Sequence, residues 1–286
     1  NIFLFSIKNF NNKVAAITGA GSGIGQQLAL NLAKQGCHLA LSDINDDGLD
    51  ETLALLQKYP VKVTRQILDV SDKEAVFSWA DTVVNDHGKV NVVFNNAGVA
   101  LSGTVAALSV EDYHWIMGIN FWGTLYGVKA FLPHLEASGE GHIVNISSVF
   151  GLTAQPLMSG YNASKYAVRG LSESLRQDLE LTNSKVSMTC VHPGGIKTNI
   201  AKSTRMSDSV NQVLGVSNDD SIKDFEMSFI NTAESAAKVI LKAVNKNKRR
   251  ILIGPDARVY DWISRLFPAG YQRLFTAVVR WRSKTA

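Results

Sequence analysis

Short apolar runs and longer amphipathic stretches alternate along the first 195 residues of the chain. Runs rich in β-branched residues, typical of strands, occur at 14–18, 37–42, 61–67, 90–95, 142–147 and 185–192, with one more at 251–253. Helical patterns lie near 24–35, 46–57, 72–87, 111–136, 159–182 and 233–245. Strands apolar enough to be covered on both faces favour a parallel sheet. Right-handed crossovers then predict an α/β fold: a Rossmann-type, doubly wound parallel sheet of about seven strands flanked by helices.

We expect one domain over residues 1–254, because no internal repeat, low-complexity tract or linker divides the chain. Residues 199–232 interrupt the alternation, being polar and irregular with only short helical patterns. They follow the carboxyl end of a strand, where open α/β sheets bind ligands. A long insertion at that place predicts a substrate lid.

Residues 255–286 have the pattern of a C-terminal extension made of two amphipathic, basic helices, separated at Pro268 and Gly270. The apolar stripe consists of Val259, Trp262, Ile263, Leu266 and Phe267, then Tyr271, Leu274, Phe275, Val278 and Val279. Arg258, Arg265, Arg273 and Arg280 fall on the other faces. Most apolar stripes are buried, so we favour packing on the protein's own body or on a sister subunit. The alternative is a peripheral membrane contact.

The net charge of +4 is unevenly distributed. From residue 246 onward there are ten Lys or Arg and two Asp, so the rest of the chain holds 19 basic and 23 acidic side chains. Nucleic-acid binding has little support, because the body is acidic and no recognised DNA or RNA motif is present. The positive excess therefore belongs to the tail.

Composition is ordinary for a soluble globular protein, with 45% apolar and 19% charged residues. No stretch approaches the ~20 apolar residues of a membrane-spanning helix, and the apolar start over 1–6 is too short for a secretion signal. Cys37 and Cys190 lie in strand-like runs and fit a reducing compartment. We therefore expect a cytoplasmic protein, with peripheral membrane contact as the alternative. Six scattered histidines predict no metal site.

A glycine-rich turn follows the first strand and opens the first helix. Backbone N–H groups and the helix dipole at such a turn attract phosphate, and glycine lets a pyrophosphate approach the backbone. The spacing departs from G-x-G-x-x-G, since position 24 is Ile, yet the strand–turn–helix context supports a dinucleotide site. The residues expected to bind the cofactor here are Gly19, Gly21, Ser22, Gly23, Ile24 and Gly25.

The second strand ends at Asp43, some 20 residues past the glycines. A carboxylate there accepts hydrogen bonds from the adenosine ribose hydroxyls and repels a 2′-phosphate. No Arg or Lys follows closely to bind such a phosphate, and Ser22 is not basic. We therefore expect NAD rather than NADP.

A tyrosine and a lysine stand one helical turn apart in the predicted helix 159–182. Tyrosine has an ordinary pKa near ~10 and is a poor base at neutral pH. The ammonium of Lys165 is expected to lower the pKa of Tyr161, so that the phenol can exchange a proton with an alcohol or ketone. Ser148 ends a strand at the ligand-binding edge of the sheet, where its hydroxyl can hold the carbonyl oxygen opposite Tyr161.

The motifs and their order along the chain resemble those of the short-chain dehydrogenases/reductases. The resemblance covers roughly residues 13–200. It rests on the glycine motif at 18–25, Asp69-Val70, Asn95 to Gly98, Asn120, Ser148, Tyr161 with Lys165, and Pro193-Gly194. The separation of 13 positions between Ser148 and Tyr161 is the usual one in the family and selects Ser148 over Ser147.

The resemblance implies a role for each matching residue. It makes Tyr161 the general acid/base, and Lys165 the group that lowers its pKa and binds the nicotinamide ribose. Ser148 would orient the substrate, and Asn120 would hold a water in a proton relay to Lys165. Cofactor contacts are implied for Asp69 and Val70 at the adenine, for Asn96, Ala97 and Gly98 on the adenosine side, and for Pro193, Gly194, Ile196 and Thr198 over the nicotinamide. Family members also assemble as homodimers or homotetramers through two long helices, here near 111–136 and 159–182.

These features together predict an NAD-dependent oxidoreductase that transfers a hydride between NAD(H) and a secondary alcohol or ketone. The lid and the apolar tail favour a fairly bulky or hydrophobic substrate. One alternative is a small-ketone or 3-oxoacyl-type reductase. A protein that binds NAD as a sensor without catalysis is another, because a fold can be kept after its chemistry is lost.

Overall fold

A seven-stranded parallel sheet lies at the centre of the protein, as seen in a computed structural model that describes residues 7–198, 200, 203–215 and 229–285. Its strands are β1 (Val14–Thr18), β2 (His38–Asp43), β3 (Val63–Ile67), β4 (Val92–Asn95), β6 (Gly141–Ile146), β7 (Val186–Pro193) and β11 (Arg250–Ile253). They are ordered β3-β2-β1-β4-β6-β7-β11, and every pairing in this sheet is parallel. The predicted α/β fold with about seven parallel strands is confirmed.

Two short strand pairs lie outside this sheet. β5 (Leu101–Ser102) pairs with β9 (Arg205–Met206), and β8 (Ile196–Lys197) pairs with β10 (Asn231–Thr232). Each pair joins a strand within the predicted lid, residues 199–232, to a strand of the body of the protein. Residues 199, 201–202 and 216–228 of the predicted lid lie outside the described residues.

Ten described α-helices surround or extend the sheet. They are α1 (Gly23–Ala33), α2 (Asp46–Leu56), α3 (Lys73–His87), α4 (Val110–Met117), α5 (Gly123–Ala137), α6 (Ser159–Leu181), α7 (Ser209–Leu214), α8 (Ala233–Asn245), α9 (Pro255–Leu266) and α10 (Gly270–Thr285). The predicted stretch 111–136 is helical but not uniform, because a π-helical turn, Gly118–Trp122, joins α4 to α5. Such turns often mark functional sites.

Apolar side chains bury both faces of the sheet. On one face, Leu28 and Leu32 of α1 and Ile240 of α8 are fully buried in one core cluster. On the other, Trp79 of α3 packs edge-on against Phe131 of α5, with ring centroids 5.2 Å apart. Helices on both faces explain why the strand sequences are almost continuously apolar.

The strand order reverses between β1 and β4, which places an opening at the carboxyl ends of the strands. From β1 the chain proceeds through β2 to β3 on one side, and then returns to β4 and continues to β6 and β7 on the other. Crossovers on the two sides of this point lead to opposite faces, so a crevice remains between the loops. The fold therefore positions a ligand site at the ends of β1 and β4.

The two C-terminal helices, α9 and α10, pack on each other through aromatic rings. Phe275 lies 5.6 Å from the ring of Tyr260 and 5.3 Å from that of Tyr271, between ring centroids. Tyr271 is buried, and its hydroxyl accepts a hydrogen bond from the backbone N–H of Ala154 at 3.1 Å. Packing on the body accounts for only part of the stripe, because six of its ten residues are exposed: Val259, Trp262, Leu266, Phe267, Leu274 and Val278. Among the described helices, none is long and apolar enough to cross a membrane.

Candidate active site

A cavity of about 800 Å³ lies at the carboxyl ends of the strands, where the fold leaves its crevice. Its walls come from the loops after β1, β2, β3, β4, β6 and β7, and from the start of α9. This volume falls within the range of small-molecule and cofactor sites, about 300–1,000 Å³. The candidate site is therefore one continuous cavity built from segments that are distant in the sequence.

The glycine loop at one end is shaped by backbone that only glycine accommodates well. Gly19 has a φ of +66°, and a Cβ on Gly25 would lie 2.0 Å from the carbonyl oxygen of Gly19. The amide of Asn96 donates to the carbonyl oxygens of Thr18 at 2.9 Å and of Gly19 at 3.1 Å. These contacts fix the loop against the end of β4.

The start of α1 suits a phosphate group. The Ser22 side chain forms no capping hydrogen bond, and the first turn of the helix contains no acidic residue. N–H groups of an uncapped first turn and the helix dipole favour an anion. Because Gly21, Ser22 and Gly23 also line the cavity, the residues present fit a dinucleotide pyrophosphate.

Asp43 joins the loops that follow β1 and β2. Its Oδ2 atom accepts a hydrogen bond from the Gly21 N–H, and its Oδ1 atom accepts one from the Asn45 N–H, both at 2.9 Å. The carboxylate lines the cavity and keeps further acceptor capacity, because each ionised oxygen carries two lone pairs. It can therefore receive hydroxyl donors from a ribose while it holds the glycine loop.

The predicted catalytic side chains meet at the other end of the cavity. Tyr161 and Lys165 come from the first two turns of α6, and Ser148 comes from the loop after β6. All three are buried and line the cavity. The Lys165 Nζ atom donates to the carbonyl oxygen of Ile146 at 3.1 Å and lies 5.6 Å from the centroid of the Tyr161 ring.

Burial changes the pKa values of both Tyr161 and Lys165. It raises the pKa of Tyr161 to about 12, against the opposing effect of a hydrogen bond from Ser148. Burial also lowers the pKa of Lys165 to about 8. The sequence led us to expect a pKa lowered by Lys165, whereas burial raises the pKa in this structure, because loss of solvent penalises the phenolate. Tyr161 is protonated at neutral pH.

Asn120 occupies the π-helical turn and does not line the cavity. Its Oδ1 atom accepts from the Val99 N–H at 2.9 Å, and its Nδ2 atom donates to the carbonyl oxygen of Val99 at 3.0 Å and to the Ser164 hydroxyl at 2.9 Å. A Cβ on Gly98 would lie 3.2 Å from Asn120 Oδ1 and 3.3 Å from Lys165 Nζ. The missing side chain at Gly98 thus leaves space between these two polar atoms.

Most of the residues predicted to bind the cofactor line this same cavity. They are Gly19, Gly21, Ser22, Gly23, Ile24, Asp43, Asp69, Val70, Asn96, Ala97, Gly98, Tyr161, Lys165, Pro193, Gly194, Ile196 and Thr198. Gly25 is buried behind the glycine loop and does not line it. Gly25 lies so close to Gly19 that a larger side chain would not fit, so its role is to let the helix pack against the loop.

Sequence reasoning missed the contribution of α9 to the cavity. Asp256 and Tyr260 both line it, and Asp256 Oδ2 accepts from the Gly195 N–H at 2.7 Å. A Cβ on Gly194 would overlap this carboxylate. The available signal was topological: β11 ends at the same sheet edge as β7, so the residues that follow it return to the site.

Comparison with known proteins agrees with this architecture. A family model described as short chain dehydrogenase matches residues 13–209. SadH of Mycobacterium tuberculosis is 45% identical over 278 residues, which cover 96% of this chain and 97% of SadH. The crystal structure of a short chain dehydrogenase/reductase from Burkholderia phymatum in complex with NAD has a TM-score of 0.83 and 31% identity, covering 91% of this chain and 95% of that one. A short chain dehydrogenase from Mycobacterium paratuberculosis bound to NAD has a TM-score of 0.73 and 25% identity, covering 86% and 97%.

The fold and these similarities define the class of protein as an oxidoreductase. More particularly, the chain belongs to the short-chain dehydrogenase/reductase family.

Proposed function

We propose that this protein transfers a hydride between NAD(H) and a secondary alcohol or ketone. The observation that carries the proposal is the shared cavity. One end has the glycine loop and Asp43, and the other has Tyr161, Lys165 and Ser148. When bound, NAD(H) supplies the carbon that accepts or donates the hydride. The non-catalytic sensor is disfavoured, because a sensor has no need of a buried lysine beside a buried phenol.

Two side chains of the cavity are proposed to handle the substrate oxygen, and two further residues support them. The Tyr161 phenol donates a proton to a ketone oxygen, or accepts one from an alcohol. The Ser148 hydroxyl, which hydrogen-bonds the phenol, orients that oxygen. The Lys165 ammonium favours the phenolate and binds a ribose hydroxyl. Asn120 supports the lysine through a water in the space beside Gly98.

The substrate end is proposed to accept a fairly bulky or hydrophobic molecule. Phe150, Ile200 and Phe229 line the cavity there, together with Tyr260 of α9. Ile200 and Phe229 belong to the proposed lid, residues 199–232, which would cover a bound substrate. A large apolar lining favours such a substrate over a small ketone. We also propose a homodimer or homotetramer formed through α4, α5 and α6, in a reducing compartment that keeps Cys37 and Cys190 as free thiols.

A substrate screen tests the function directly. The purified chain is mixed with NAD⁺ and secondary alcohols of rising size, and formation of NADH is followed by its absorbance. We expect turnover that improves as the alcohol becomes larger and more apolar. Tight binding of NAD(H) without turnover of any alcohol, or of any ketone with NADH, would favour the sensor.

The choice of cofactor is expected to depend on Asp43. Replacing Asp43 with Asn keeps hydrogen bonding but removes the charge, so discrimination against NADP should fall roughly ten- to hundredfold, the worth of about 1.5–3 kcal/mol for hydrogen bonds to a charged group. Titration calorimetry with NADH and NADPH measures the ratio of dissociation constants. Asp50→Asn, on helix α2 and outside the cavity, is the matched control. Equal affinities for NADH and NADPH in the unmodified chain would contradict the preference.

The two directions of the reaction are expected to respond differently to pH. Since the pKa of Tyr161 is raised to about 12, the fraction of phenolate grows as pH rises through the neutral range. Alcohol oxidation should therefore accelerate by up to about tenfold per pH unit between pH 6 and 8, whereas ketone reduction should not. Profiles of kcat/KM in both directions test this, and oxidation that slows over the same range would contradict it.

A further inference from the structure

The tail presents an apolar surface to solvent that the proposed chemistry does not use. We call this surface the tail face. It consists of Val259, Trp262 and Leu266 of α9, Phe267 directly after that helix, and Leu274, Val278 and Trp281 of α10. Their exposed fractions range from 43% for Val278 to 66% for Trp281. Large exposed apolar patches on a folded protein mark a binding surface.

The tail face belongs to helices that are held in place from their other sides. Tyr271 is buried and hydrogen-bonds the Ala154 backbone, and Asp256 accepts from the Gly195 N–H. Asp261 pairs with Arg250 of β11 and with Arg265. The apolar side chains are therefore presented by an anchored element, in a fixed orientation.

Positive charge accompanies the apolar side chains. Arg258, Arg265 and Arg273 are exposed on the same two helices. The two acidic residues of α9 are already engaged, Asp256 with Gly195 and Asp261 with Arg250 and Arg265. The surface thus offers apolar side chains and an excess of cations, which complements an apolar layer bordered by anionic groups.

A second copy of the chain fits this surface poorly. In a two-fold symmetric contact the same patch meets itself, so Arg258 and Arg273 would face other arginines. No acidic side chain of α9 remains to pair with them, and like charges across an interface are costly. A bilayer with anionic headgroups has no such conflict, and tryptophan is enriched at the level of the headgroups.

We propose that the tail face docks the protein on an anionic lipid surface. The apolar side chains enter the headgroup layer, while the arginines extend to the lipid phosphates. The helices lie in the plane of the interface and do not cross it. This proposal is independent of the proposed function, because its test measures binding and not turnover.

Co-sedimentation of the full chain with vesicles tests the proposal. The vesicles contain phosphatidylcholine alone or an equimolar mixture with phosphatidylserine. We expect the bound fraction to be much larger with phosphatidylserine and to fall as salt is added. Recovery of the chain in the supernatant with both compositions would overturn the proposal.

Paired variants separate the apolar and the charged contributions. Trp262→Ser with Trp281→Ser, and Arg258→Gln with Arg273→Gln, should each weaken partition onto the mixed vesicles at least tenfold. Val105→Ser with Leu55→Ser is the matched control, because both side chains are exposed on the body, at 69% and 44%. Unchanged partition in both tail variants would overturn the proposal. The proposal would also be overturned if the unmodified chain bound no vesicles and the tryptophan variant lost its oligomeric state, as measured by light scattering. That pair of results identifies a second copy of the chain as the occupant.

Discussion

Replacing Tyr161 with Phe is expected to reduce kcat/KM by roughly 10²–10⁴-fold, the contribution typical of a positioned general acid/base. The change removes only the hydroxyl that exchanges a proton with the substrate. The ring remains, together with its edge-on contact to Phe150, whose centroid lies 5.8 Å away. NADH affinity should therefore stay within a few-fold of that of the unmodified chain. Steady-state kinetics and calorimetry on the same preparation provide the two measurements.

Tyr113→Phe is the matched control for this variant. The Tyr113 hydroxyl lies 2.6 Å from the Ser159 hydroxyl at the start of α6, near the site but outside the cavity. Its loss should change kcat/KM only a few-fold. If Tyr161→Phe retains turnover comparable with that of Tyr113→Phe, the phenol is not the acid/base and the proposed mechanism is wrong.

Replacing Lys165 with Met is expected to change activity and stability in opposite directions. Turnover should fall at least about hundredfold, because the positive charge beside the phenol is lost. Burial lowers the pKa of Lys165 from 10.5 to about 8, which corresponds to a cost of about 3 kcal/mol for holding the ammonium. The hydrogen bond to Ile146 offsets about 1 kcal/mol. The free energy of unfolding of the variant should therefore be about 2 kcal/mol higher than that of the native chain at pH 7.

The pH dependence of this stability difference follows from the lowered pKa. Below pH 8, Lys165 is charged in both states, and the full cost of burial applies. Between pH 8 and 10.5 the folded state carries the neutral amine while the unfolded state still binds the proton, so the cost shrinks as pH rises. Urea unfolding at pH 7 and pH 10 should show the advantage of the variant decline, with Lys8→Met as an exposed control. A variant less stable than the native chain at pH 7, or an advantage independent of pH, would contradict this account.

The parts of the site that the sequence predicted are those encoded locally. A strand, a glycine turn and a helix are contiguous, so their arrangement around Gly19 and Gly21 follows from short-range geometry. The position of Asp43 follows from the end of β2 in the same way. Parallel strands also bring their carboxyl ends to one edge, which is why the amino-acid pattern alone predicts that Ser148 lies near the cofactor loop.

The parts that sequence reasoning missed depend on long-range packing. Asp256 reaches Gly195, 61 positions earlier, only because β11 adds beside β7 and α9 folds back over the cavity. The pKa of Tyr161 depends on how much solvent the walls exclude, which no local pattern encodes. The exposure of Trp262 and Trp281 also depends on long-range packing, since helical spacing reveals an apolar stripe but not what covers it.

The central claim is that one cavity holds a dinucleotide on the first helix and presents its nicotinamide to the Tyr161 phenol. A crystal structure of the chain soaked with NAD⁺ tests this most directly. We expect the adenosine ribose at Asp43, the pyrophosphate at the start of α1, and the nicotinamide between Tyr161 and Pro193-Gly194. Dinucleotide bound with its nicotinamide far from the phenol, or no dinucleotide in the cavity, would contradict the account.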